Sequence, residues 1–222
     1  MNKPIKFLTF LLLLVFLSTY FPNYNNKNNS ILFPIQTIKI ENTIALNIEE
    51  VYPALEFLKG ESLFFLSKEK IKNSLVKFDF VSSFKVKKIY PNTIKILIIE
   101  KKPVAIFVQE KKKFFISDNG ELINYIQSED FSNLPILFGK KNNFNNLYIQ
   151  LKKINFPINT IKSFHYFEID RWDITLKNDK LIRLPKDNYV EILKNFISIK
   201  NDSKFKKYKT FDYRIKDQLI LN

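Results

Sequence analysis

A chain of 222 residues with 45% hydrophobic content, 23 Phe and only 3 Gly holds enough apolar material for one or two packed domains, and disorder along its whole length is excluded. Zero Cys removes disulfides, thiolate nucleophiles, iron–sulfur clusters and Cys-type zinc sites, the single His165 removes a multi-His metal site, and three Gly leave little room for a Gly-rich phosphate loop. The net charge of +14 is carried mainly by Lys spread among Asn, Ile and Phe, a compositional bias that does not resemble the clustered Arg of a phosphate reader, so neither nucleic acid nor a cofactor is expected.

The N-terminus sets the compartment. Met1 to Lys6 holds Lys3 and Lys6 and no acid, and residues 7–21 (FLTFLLLLVFLSTYF) carry no charge. Counted from Ile5, the apolar stretch reaches about 17 residues, the lower limit for a spanning helix. Its exit, Ser18-Thr19-Tyr20-Phe21-Pro22, lacks the small-x-small pair of a cleaved signal, while Tyr20, Phe21 and Tyr24 suit a membrane interface. The pattern predicts a cytoplasmic tail over 1–6, an uncleaved anchor over 7–22 and a polar tether over 23–32. The rest of the chain then lies outside the inner membrane, in single-pass type II topology.

Beyond the tether, Ile35 to Ile40 alternates like a half-buried strand. Asn47 with Glu50 predicts a capped helix to about Lys59, and Ser67 caps a second over 68–78. Phe84 and Val86 begin a strand, Pro91-Asn92 turns the chain, and Ile94, Ile96 and Ile98 bring it back. From Ala105 hairpins follow, with a tip at Glu110–Lys113 and a turn at Asp118-Asn119-Gly120. Residues 146–154 suit a short helix. Trp172, Ile174 and Leu176 alternate into an Asn178-Asp179 turn, and residues 188–199 carry Val190, Leu193, Phe196 and Ile197 on one helical face. A last strand alternates Phe211, Tyr213 and Ile215 with Asp212, Arg214 and Lys216. Trp172 opens an apolar alternation and is read as core; His165, between Phe164 and Tyr166, is read as structural or exposed. The fold class is α+β.

Six motifs in order carry a resemblance. Tyr90-Pro91-Asn92-Thr93-Ile94-Lys95-Ile96 runs to Glu100-Lys101-Lys102-Pro103-Val104-Ala105. Leu134-Pro135-x-Leu137-x-Gly139, Arg171-Trp172-x-x-Thr175-Leu176, Arg183-Leu184-Pro185 and Phe211-Asp212-Tyr213-Arg214 follow. Over nearly its whole length the chain resembles the FtsQ/DivIB family of bacterial cell-division proteins. The resemblance implies a POTRA domain of β-α-α-β-β order over 33–101 and a mixed β domain over 102–222, with an extended antiparallel-type sheet and flanking helices. It implies a non-catalytic divisome scaffold at the division site, without cofactor, that binds FtsB-like and FtsL-like proteins and further divisome membrane proteins. Two departures stand out: Glu41-Asn42 replaces the Gly-Asn that often ends the first POTRA strand, and Arg214 is followed by Ile215 where an aromatic residue is common.

In the family the last strand carries the FtsB contact, which makes Phe211, Asp212, Tyr213, Arg214 and Ile215 the candidate partner-binding residues. Read as a sheet edge, this strand offers free backbone groups to a partner strand. Arg214→Glu is then expected to abolish partner binding and leave the fold intact. The bland alternative for Asp212 and Arg214 is an exposed ion pair worth about 0–1 kcal/mol. Two other functions remain open at this point: a POTRA-bearing protein of secretion or outer-membrane assembly, and an exported hydrolase using Asp170 and Asp173.

Overall fold

The computed structural model describes residues 3–19 and 31–222. Helix α1 spans Lys3–Thr19, and every side chain described along it, from Lys6 to Ser18, is exposed. A helix apolar all round has no core of its own to face. Among the described residues no helix is long and apolar enough to cross a membrane. At 17 residues α1 rises about 25 Å against a hydrocarbon core of about 30 Å. The expected end of the anchor, its Tyr20, Phe21 and Tyr24, and the tether to residue 30 lie outside the described residues.

The first unit is built from β1 (Thr37–Glu41), α2 (Ile48–Leu55), α3 (Lys68–Leu75), β2 (Val81–Ile89) and β3 (Thr93–Glu100). Its sheet has the order β1-β3-β2, β3 being parallel to β1 and antiparallel to β2. The alternation of Ile94, Ile96 and Ile98 is the reason β3 takes the centre: all three are fully buried against Val51 and Leu55 of α2 and Ile71 and Leu75 of α3. Asn47 caps α2 by accepting from the Glu49 N–H at 3.0 Å, and Pro53 helps bring the helix to a close in a 3-10 turn over Glu56–Leu58. Ser67 occupies the cap of α3, but its side chain makes no capping bond, and the helix stops at Leu75, short of the expected Phe78. Glu41 stays within β1, its carboxylate 2.6 Å from Lys95 Nζ, and Asn42 supplies the left-handed residue at φ 68 while its amide donates to the Ile98 carbonyl. The turn thus needs no Gly: a positive φ is accessible to Asn.

The second unit adds β4 (Pro103–Gln109), β5 (Lys112–Ser117), β6 (Leu122–Asn124), β7 (Ile136–Phe138), α4 (Phe144–Lys153), β8 (Ile161–Phe167), β9 (Arg171–Leu176), β10 (Leu181–Arg183), α5 (Tyr189–Ile199), β11 (Thr210–Asp212) and β12 (Ile220–Leu221). They form a nine-stranded sheet in the order β12-β11-β10-β9-β8-β7-β4-β5-β6. The sheet is mixed, which corrects the antiparallel expectation. β7 lies parallel to both β4 and β8, and β11 parallel to β10; the crossovers from β7 to β8 and from β10 to β11 pass through α4 and α5, while the chain from β4 reaches β7 by way of the β5–β6 hairpin. Glu110 and Lys111 at φ 47 and 68 make a tight β4–β5 hairpin turn of type I′.

Both helices pack on one face of this sheet. Phe144, Leu147 and Leu151 of α4 and Leu193 and Phe196 of α5 share a core with Phe164, Ile174, Ile182 and Phe211. Trp172 belongs to that core, as its alternation implied. Gly139 follows β7 at φ 92, where an added Cβ would sit 2.2 Å from the Tyr166 carbonyl oxygen, so the β7–β8 approach depends on its lacking a side chain.

The opposite face is covered at the β6 end by the first unit. Phe80 packs against Phe115 and Phe131, with Ile106, Ile123 and Leu46 around them. Polar contacts stand beside it. Within the first unit the Glu100 carboxylate accepts from the backbone N–H groups of Ile44, Ala45 and Leu46 at 2.9, 2.9 and 3.0 Å, fixing the segment whose Ala45 and Leu46 pack at the junction, and Lys101 Nζ lies 2.7 Å from Glu121 of the second unit.

Candidate functional site

The five candidate residues sit at the far end of the sheet. β11 ends at Asp212 and is not an edge: β10 lies on one side and β12 on the other. The edge therefore belongs to the two residues Ile220 and Leu221. The expected strand over 211–216 ends early because the backbone N–H of Arg214 turns back to Asp212 Oδ1 at 3.1 Å, which draws the chain out of the ladder.

Phe211 is core, edge-on to Phe196 with 5.0 Å between ring centroids. Tyr213 is buried too. Its backbone N–H donates to the Arg183 carbonyl at 2.9 Å, its hydroxyl to Asn195 Oδ1 at 3.1 Å, and burial pushes the hydroxyl pKa up to about 12. Of the five, only Arg214 and Ile215 are exposed.

Asp212 is 6% exposed, so it is not half of a surface ion pair. Arg214 Nε and Nη2 approach its carboxylate at 2.8 and 2.5 Å, and Arg183 Nη1 at 3.4 Å. The Arg214 hydrogen bonds hold the Asp212 pKa down to about 2. In register across the helix-free face stand His165 of β8, Asp173 of β9, Arg183 of β10, Asp212 of β11 and Ile220 of β12. Asp173, 7% exposed, has Arg171 Nε at 3.7 Å and Arg183 Nε at 3.8 Å, and its Oδ1 has no hydrogen-bond partner. Burial pushes its carboxyl pKa up, with Arg171 and Arg183 opposing. His165 is half-buried, its ring 4.6 Å from that of Phe138.

Sequence reasoning misses this alternating row of charges. Its signal lies in the motifs themselves, because Arg171, Arg183 and Arg214 each belong to a different one. The two aspartates of the hydrolase alternative are engaged elsewhere. Asp170 accepts from the Tyr166 hydroxyl at 2.6 Å and has Lys186 at 3.0 Å, while Asp173 faces Arg171 and Arg183. His165 stands in register with Asp173.

Beside this row, the turn from Tyr213 to Leu219 faces the Pro185–Asn188 loop and the first half of α5 across an open groove of about 850 Å³. Asp217, at φ 61, reverses the chain so that β12 returns antiparallel to β11. Thr210 and Asn222 exchange N–H···O bonds of 2.8 and 3.2 Å. Alternation along an antiparallel ladder then leaves Leu221, opposite Phe211, with its own N–H and C=O directed outward. The geometry provides an open strand edge, two exposed residues beside it and a groove behind them.

The comparisons with known proteins agree along the chain. A family model described as POTRA domain, FtsQ-type, matches residues 33–101, and one described as Cell division protein FtsQ/DivIB, C-terminal, matches 105–214. Cell division protein FtsQ of Rickettsia bellii is 28% identical over 193 residues, covering 85% of this chain and 72% of that one. Its counterpart in Agrobacterium fabrum is 22% identical over 163 residues, covering 72% and 51%. The extracytoplasmic domain of DivIB from Geobacillus stearothermophilus aligns over 48% of this chain and 96% of its own, at 15% identity and a TM-score of 0.35.

Proposed function

The chain belongs to the FtsQ/DivIB family of bacterial cell-division proteins, and from that premise we propose that it acts by binding alone, as a scaffold of the division machinery. In this reading α1 and the residues just after it anchor the chain in the inner membrane at the division site. Lys3 and Lys6 keep the tail cytoplasmic. A POTRA domain over 33–101 and a β domain over 102–222 then stand outside, and the POTRA domain docks further division proteins of the membrane. The exposed apolar surface of α1 supports the anchor, since a helix of that kind is satisfied by lipid.

FtsB-like and FtsL-like partners are read as binding the β domain by strand addition at β12. The observation that carries this is the outward N–H and C=O of Leu221 on an edge strand of two residues, flanked by Arg214 and Ile215. Backbone pairing supplies the affinity; Arg214, still 40% exposed beside Asp212, offers N–H groups to a partner carboxylate. The partner site thus moves from β11 itself to its neighbour β12, with Phe211, Asp212 and Tyr213 shaping it from inside.

The test is a titration of the purified full-length chain in detergent with an FtsB-like partner. Leu221→Pro deletes the outward N–H while sparing the Thr210–Asn222 bonds, and is expected to weaken binding by about tenfold or more. Lys153→Ala, exposed on α4 and away from this groove, is the control and keeps full affinity. Equal affinity for Leu221→Pro and the unaltered chain would refute strand addition at this edge.

A further inference from the structure

The first exposed side chains after residue 30 are not polar. Ile31, Leu32 and Phe33 are all exposed, and the fold gathers more apolar side chains around them. The Phe33 carbonyl accepts from the Leu63 N–H at 2.9 Å, and the Ser62 hydroxyl donates to the Leu32 carbonyl at 2.7 Å. This brings the 31–33 segment against Phe64 and Phe65, whose rings lie 5.0 Å apart and of which Phe65 is 76% exposed. The Phe33 ring meets Tyr90 edge-on at 5.1 Å, and Lys88 Nζ donates to the Phe64 carbonyl at 2.8 Å, tying in the end of β2. A single patch results, aromatic and aliphatic at its centre. Exposed Lys88 of β2 borders it, with Lys68 and Lys70 in the first turn of α3, just after Leu66. The acids at this border are Glu61, whose carboxylate is 3.2 Å from Lys70 Nζ, and Glu69.

The apolar run Leu63-Phe64-Phe65-Leu66 is core only in part: Leu63 is buried and Leu66 packs against the same core, whereas Phe64 and Phe65 are exposed. Exposed apolar area of this kind calls for a cover. The covalent path says which. Residues 20–30 join Thr19 of α1 to Ile31, and eleven intervening residues span at most about 40 Å. The patch begins at the residue where that connection ends, so it stays within about 40 Å of whatever surface α1 enters. Exposed Phe, Tyr and Leu bordered on one side by Lys68, Lys70 and Lys88 match the chemistry of an anionic membrane interface, where aromatic rings settle at headgroup depth and ammonium groups meet phosphate.

We propose that this face of the POTRA domain, centred on Phe33, Phe64, Phe65 and Tyr90, inserts into the outer surface of the same bilayer and is a second, interfacial membrane contact. The inference rests on the reading of α1 as an anchor. With it the domain lies down on the lipid in a fixed orientation and does not swing on its tether.

The experiment uses the full-length chain reconstituted into vesicles of phosphatidylethanolamine and phosphatidylglycerol, with and without lipids brominated along the acyl chain. Phe65→Trp places an indole probe in the patch, and Tyr90→Trp places a second on its other side. Native Trp172, buried in the β-domain core, serves as the internal reference. Vesicle flotation reports the anchor; bromolipid quenching reports the patch. The expected result is that the emission each introduced indole adds shifts blue and drops about twofold or more with bromolipid, while Trp172 emission does not change. Replacing phosphatidylglycerol by phosphatidylcholine reduces the quenching. A chain that floats with both introduced indoles unquenched overturns the proposal and leaves the anchor standing. Blue-shifted emission without quenching overturns it in favour of a second copy of the chain covering the patch. A chain that does not float overturns both readings.

Discussion

Arg214 grips the buried carboxylate of Asp212 with Nε at 2.8 Å from one oxygen and Nη2 at 2.5 Å from the other. Two residues apart, they close a loop at the point where β11 leaves the sheet. The pairing belongs to the fold before it belongs to any partner.

Acid stability follows from this contact. The Asp212 pKa is about 2 in the folded chain, below the ordinary unfolded value of about 3.9, so the unfolded chain binds more protons in that window. The pairing stabilises fully above about pH 4 and is lost as pH falls towards 2, by about 1–2 kcal/mol. Asp173, shifted upward by burial, works in the opposite sense: its ionised form costs stability at neutral pH. Asp212→Asn should therefore cost about 1–3 kcal/mol at pH 7, and Asp173→Asn less than about 1 kcal/mol. Thermal melts of both variants at pH 7 and pH 3 check this. A larger loss for Asp173→Asn would reverse the assignment.

Arg214→Glu is not the clean binding variant that the sequence suggests. It sets a second carboxylate against buried Asp212, with a stability cost of about 2–4 kcal/mol. Arg214→Lys retains the charge and loses the fork, and should cost about 1 kcal/mol while weakening partner binding by several-fold. Ile215→Ser leaves stability within about 0.5 kcal/mol and isolates the contact. Parallel melting and binding curves separate the three.

The Glu100 carboxylate, accepting three backbone N–H groups, fastens residues 44–46 at the junction of the two units. Glu100→Ala leaves those donors to solvent and should lower stability by about 1–3 kcal/mol. Faster amide exchange of Ile44, Ala45 and Leu46 is the specific readout. Exchange unchanged at these residues would deny the carboxylate its role.

Gly139→Ala drives a Cβ into the Tyr166 carbonyl at a φ of 92. A loss of about 3 kcal/mol is expected, read as a drop in melting temperature. Gly60 also has a positive φ but nothing within 4 Å of where a Cβ would stand, so its alanine variant should cost about 1 kcal/mol.

Much of the fold was legible because local rules and burial agree. The alternation of β3 and the apolar face of α5 each named a core surface. β8 was not legible: a register shift between Ile161 and Ser163 leaves Ser163 and Phe164 buried side by side and breaks the period-two pattern. β12 escaped because two residues carry no periodicity. Without β12, β11 looked like an edge, and the strand beyond Asp212 looked continuous because alternation takes no account of a side chain that captures its own backbone. Arg171, Asp173 and Arg183 came together only through cross-strand register, which depends on which strands are neighbours.

The strand order has a geometric consequence. β6, at one margin of the sheet, lies against the first unit, where Asn124 donates to Asp79, and β12 forms the other margin. Eight strand spacings at about 4.8 Å put roughly 38 Å between them. Hydrogen-bonded strands barely stretch, so the sheet is a ruler: whatever binds at β12 is set off by that length from the junction with the first unit. Adding or removing a strand would change that distance without altering any contact at either margin.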